Sequence, residues 1–86
     1  MNAKSGEYIS LIKKSAELRV GGDHAGSIAL IESKLSHMEP DCLLDAYLEC
    51  FYAAMESDQK DTALAYAKKI HAIDPKIPTV ETYLDM

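Results

Sequence analysis

The residues of this 86-residue chain whose chemistry could serve a reaction are three histidines, two cysteines and a cluster of carboxylates. His24, His37 and His71 are widely spaced and form no metal-ligand pattern with Cys42 and Cys50. The two cysteines are expected on one helix, where eight residues separate them by about 12 Å along the axis. A disulfide needs Cα atoms within about 7 Å, so that placement excludes an internal bridge and makes both small core thiols. Ser33 and His37 stand four apart, close enough to share a helix face. No third group is present to orient the histidine, so no activated nucleophile is expected there. Gly21-Gly22 lacks the spacing of a phosphate-cradling loop, and a helix-ending turn accounts for it. His71 falls in the last turn of a patterned segment, where a cation meets a favourable helix dipole. Neither catalysis nor a metal nor a cofactor is expected.

The carboxylates are organised. From Glu39 to Asp61 there are seven acidic residues against Lys60 alone, and the net charge of the whole chain is −5. Asp41, Asp45 and Glu49 recur every four residues, which stacks them along one side of a helix, and the same line passes Tyr52 and reaches Glu56. Like charges at that spacing cost a few tenths of a kcal/mol per pair (about 0.2–0.5) unless basic groups from elsewhere offset them. Left unpaired, the stripe produces a negative field suited to a basic partner. The bland alternative is a solvated helix face, common in acidic proteins.

The elements that hold these residues read as helices throughout. Tyr8, Ile9, Leu11, Ile12, Ala16, Leu18 and Val20 repeat at helical spacing after a Ser5 cap, and Gly21-Gly22 stops the segment. Asp23 can cap a second helix carrying Ile28, Ile31 and Leu35, which Pro40 ends. Asp41 can cap a third, apolar over most of its circumference, and Asp58 opens a fourth that closes at Asp74-Pro75. Ile77 precedes a proline and should be extended, and Pro78 suits the first turn of a short last helix. The expected helices are about 6–20, 24–37, 42–57, 59–73 and 79–84, in one domain. No segment alternates at period two, so the fold class is all-α.

Composition bounds the function. With 48% hydrophobic and 27% charged residues the chain is globular. No apolar stretch is long enough to span a membrane, and the first residues lack a signal peptide's apolar core, so a cytoplasmic protein is the default expectation. The acidic balance argues against nucleic acid as a partner.

Two helix pairs, each ending near a proline (Pro40 and Pro75), sit about 35 residues apart, a period typical of stacked helical hairpins. The segment Leu44 to Ile77 resembles a tetratricopeptide repeat: Tyr47 stands at the first-helix aromatic, Ala54 at the later packing position, Ala63 at the second-helix alanine and Asp74-Pro75 at the closing pair. The first unit is similar through Leu11, Ser15, Leu18 and Gly22-Asp23, with Ser27 in place of the alanine and Pro40 one residue late. Phe51 and Ile70 are larger than that family prefers, so its helices should lie farther apart or cross at another angle. A generic four- or five-helix bundle is the alternative architecture. The resemblance implies two antiparallel hairpins plus a short C-terminal helix. It also implies a concave, protein-binding face with Asp45, Leu48, Glu49, Tyr52, Met55 and Glu56 from the second unit, and Ile9, Ile12, Ala16 and Arg19 from the first. Two repeats leave open ends, which a second copy in a homodimer or another partner could cover.

The functional expectation is a non-catalytic protein that binds another protein. Within it the more specific reading is an acidic inhibitor, of the immunity-protein or antitoxin type, whose stripe occupies a basic nuclease or toxin. The alternative is an adaptor or secretion-type chaperone holding a peptide or helix in an apolar groove.

Overall fold

The computed structural model describes residues 3–85, with side chains from Tyr8 to Asp85 apart from that of Asp41. Five α-helices carry the chain, α1 Ala3–Val20, α2 His24–Glu32, α3 Pro40–Glu56, α4 Lys60–Ile73 and α5 Pro78–Leu84, and the described residues include no strand. The fold is all-α. α1 packs on α2 and α3 on α4 as hairpins, α3 also lies against both helices of the first hairpin, and α5 docks on α4.

Both hairpins turn in the same way. At the end of α1 the amide of Asp23 donates to the carbonyl of Leu18 at 2.8 Å and that of Gly22 to Arg19 at 3.0 Å. At the end of α3, Gln59 donates to Ala54 at 2.8 Å and Asp58 to Met55 at 3.2 Å. This pairing satisfies the last helical carbonyls and demands a left-handed residue just past the cap. Gly22 fills that position with φ 96° and Asp58 with φ 60°. Asp58 therefore closes α3, and α4 starts one residue later than an Asp58 cap would place it, with Gln59 at the cap position. Asp58→Gly should stabilise the fold by about 0.5–1 kcal/mol, and Gly22→Ala should destabilise it by a similar amount or more. Opposite shifts of the urea midpoint are the expected result; equal signs would contradict the shared turn geometry.

Other helix limits differ from the sequence reading for local reasons. α1 begins at Ala3, so Ser5 lies inside it. α3 begins at Pro40, with Glu39 extended at φ −70° and ψ 151°, because proline's fixed φ suits the first helical position. Asp41 is thus within the helix, and its side chain lies outside the described residues. α2 stops at Glu32 rather than near His37. Ser33 Oγ donates to the Leu30 carbonyl at 2.7 Å, and a separate 3-10 turn covers Leu35–His37. Ser33 and His37 consequently do not share a helix. The Tyr8 hydroxyl donates to the His37 carbonyl at 2.8 Å, tying that turn to α1. Ile77 is extended at φ −87° and ψ 111°, and Pro78 opens α5.

The core is built from α3 outward. Cys42, Ala46, Cys50, Phe51, Ala53 and Ala54 of α3 are buried against Ile28, Ile31, Ala63, Tyr66, Ala67, Ile70 and Val80. The cysteines are not disulfide-bonded. Between α1 and α2 the contact is polar: the Ser15 hydroxyl donates to the Ser27 carbonyl at 2.9 Å, and the two hydroxyl oxygens lie 2.7 Å apart. Both serines are fully buried, and the pair satisfies itself, as a buried hydroxyl must.

Candidate protein-binding face

Arg19 decides the character of the face shared by α1 and α3. It is the last member of the line Ile9, Ile12, Ala16, Arg19, whose spacing keeps the four on one side of α1. Its Nε donates to Glu49 Oε2 at 2.9 Å and its Nη1 to Glu56 Oε2 at 2.7 Å. The guanidinium also sits 5.5 Å from the centroid of the Tyr52 ring. His24 Nε2 lies 3.3 Å from Glu56 Oε1. Burial alone would weaken the guanidinium's hold on its proton, but the hydrogen bonds and charges of Glu49 and Glu56 outweigh it and raise the pKa.

Two of the carboxylates expected to form an unneutralised stripe are therefore paired within the chain. Planar guanidinium is suited to this because one group can serve two carboxylates while stacking on an aromatic ring. Asp45 is exposed at the other end of the line. What remains on the face is mixed. Leu48, Tyr52 and Met55 are half-buried against the core, Ile12 and Ala16 are half-buried, and Ile9 is 62% exposed. The structure thus brings Arg19, Glu49, Tyr52 and Glu56 together, with Ile9, Ile12 and Ala16 continuing the α1 side of the same surface. Pairing across elements cannot be read from spacing along one helix. The signal available was a single arginine placed one turn before a hairpin, opposite the most acidic helix.

A second aromatic cluster lies between α3 and α4. Tyr47 and Tyr66 rings are 5.8 Å apart, Lys69 Nζ lies 5.2 Å from the Tyr66 centroid, and the Tyr66 hydroxyl donates to Glu32 Oε2 at 2.6 Å. Burial first, then the hydrogen bond to Glu32, pushes the Tyr66 phenol well above its ordinary range. Burial likewise raises the Cys50 thiol, from 9.0 to about 12. A thiol held protonated in this way is a packing group, since the thiolate is the reactive species. Among the described residues no group of three or more His, Cys, Asp or Glu side chains could hold a metal ion, and no helix is long and apolar enough to cross a membrane. Compared with known protein families, curated proteins and solved structures, the chain matches none.

Proposed function

We propose that this chain is a non-catalytic, tetratricopeptide-like module that holds a segment of a partner protein on the face shared by α1 and α3. The observation that carries the reading is the Arg19 network. By pairing Glu49 and Glu56 under Tyr52 it leaves a surface in which exposed and half-buried apolar groups, not net charge, dominate. Such a surface favours an apolar peptide or helix, with aromatic and isoleucine side chains as anchors. The same network counts against the acidic-inhibitor reading, which needs those carboxylates to present their charge to a basic protein. Asp45 is the residue that keeps that second reading in play.

Variants separate the two. A partner captured from native lysate should stay bound through high salt. Ile9→Lys or Tyr52→Ala should weaken it by about 30-fold, the loss of about 2 kcal/mol expected of an interface anchor. Asp45→Lys should change affinity far less. Release by moderate salt together with loss in Asp45→Lys would instead identify an acidic inhibitor.

A further inference from the structure

The two hairpins share one register but are held together by different chemistry. α1 ends at Val20 and α3 at Glu56, α2 begins at His24 and α4 at Lys60, so corresponding residues are 36 apart. At that offset Ser15 and Ser27 correspond to Phe51 and Ala63. The first hairpin thus carries two hydroxyls where the second carries an aromatic ring and a methyl group, and all four residues are fully buried.

The contrast extends along α1. Of its described side chains only Tyr8 and Ser15 are buried, with Leu11 and Ile12 half-buried against the core. α3, by comparison, buries Cys42, Ala46, Cys50, Phe51, Ala53 and Ala54. What pins α1 is polar at each level. The Tyr8 hydroxyl bonds the His37 carbonyl, the Ser15 hydroxyl bonds Ser27 of α2, and the Arg19 guanidinium bonds Glu49 and Glu56 of α3. Ties of this kind are exchanged for water when they open, so their net contribution is small, whereas apolar burial has no such replacement. α2 is anchored otherwise, because Ile28 and Ile31 belong to the same core cluster as Phe51 and Ile70.

We infer that α1 is a strap that swings off α2 and α3 as one unit about the Gly21-Gly22 turn, while α2, α3 and α4 stay folded. Openings of part of a fold are set by how little apolar contact they break, and paired glycines give the backbone a pivot. The two positions of the strap present different surfaces. Closed, it brings Ile9, Ile12, Ala16 and Arg19 to α3 and neutralises Glu49 and Glu56. Open, it takes away the α1 side of that face and frees both carboxylates to stand with Asp45 as an unneutralised stripe. A segment held on the α1–α3 face therefore favours closure, and closure favours the segment by the same factor. This consequence for binding rests on the function proposed above; the opening itself does not.

Native-state hydrogen exchange of the full chain, read residue by residue by NMR with small additions of urea, tests the strap with no partner present. Amides from Ile12 to Arg19 should share one opening and exchange about tenfold faster, or more, than those from Cys50 to Ala54. Their rates should also depend less on urea, because less surface is exposed in the opening. Amides from Ile28 to Glu32 should follow α3. Arg19→Met, which copies Met55 of the second hairpin, should speed exchange in α1 about tenfold or more by removing a charged tie. Ile70→Val, in the part that stays folded, should speed the slowest α3 amides about fivefold and leave the α1 rate unchanged. If α1 and α3 instead accelerate together in Ile70→Val, α1 opens only with the whole fold and the strap is overturned. Exchange of α2 at the α1 rate and urea dependence would overturn it too, as would an α1 rate indifferent to Arg19→Met.

Discussion

Replacing Phe51 with alanine is expected to remove about 3–5 kcal/mol of stability, the range for truncating a fully buried aromatic ring. For a domain of this size the whole stability is on the order of 4–13 kcal/mol, so the loss is a large fraction of it and should lower the urea midpoint steeply. Phe51 is inaccessible to solvent, and its ring meets Tyr83 edge-on at 5.3 Å and Tyr52 at 5.8 Å. The loss therefore combines burial, the cavity left in the core, and the edge contact with Tyr83 that helps hold α5. Urea unfolding followed at 222 nm measures it. A loss under about 1.5 kcal/mol, more typical of a conservative core swap, would mean that the surrounding helices collapse into the space.

High pH should also lower stability. The Cys50 thiol is raised from 9.0 to about 12 by burial, and the Tyr66 phenol is raised above its ordinary 10.0 by burial and by its bond to Glu32. Both groups keep their protons in the folded state where the unfolded chain has lost them. The unfolded state then binds fewer protons, so stability falls as pH rises. Below pH 9 neither group contributes a slope. From about pH 9, the ordinary value of a thiol, Cys50 lowers stability as pH rises towards its folded value near 12, and Tyr66 acts in the same direction from about pH 10. Urea midpoints compared at pH 8 and pH 11 should therefore drop steeply for the natural sequence. Cys50→Ala and Tyr66→Phe should each flatten that drop, whatever their effect at pH 8. An unchanged slope in both variants would place the lost protons elsewhere.

Much of the scaffold was readable along the chain. Helical spacing of apolar residues, Gly21-Gly22, and prolines at 40, 75 and 78 set the helix count and order, because periodicity and backbone restriction are local properties. Where limits moved, local chemistry that competes with the helix was responsible: Ser33 bonding to Leu30, Pro40 serving as a first residue and not a stop, and Asp58 taking a left-handed conformation more usual for glycine. The 36-residue register, visible as Leu44-Asp45 and Tyr47-Leu48-Glu49 against Val80-Glu81 and Tyr83-Leu84-Asp85, is also written in the sequence. It emerges only when helix ends are located well enough to fix the offset.

The candidate face was legible in part. Spacing on one helix aligned Asp45, Glu49, Tyr52 and Glu56, and the family resemblance supplied Ile9, Ile12, Ala16 and Arg19. Nothing in the spacing could say that Arg19 reaches two of those carboxylates across 30 and 37 residues of chain. The sequence by itself determined the all-α class, the order of the helices, the acidic balance and the apolar stripe each helix must bury. Tertiary structure alone decided which charges meet and which serines face each other in the core. Those outcomes depend on how helices pack across space, and Coulomb and packing energies follow distance in space rather than distance along the chain.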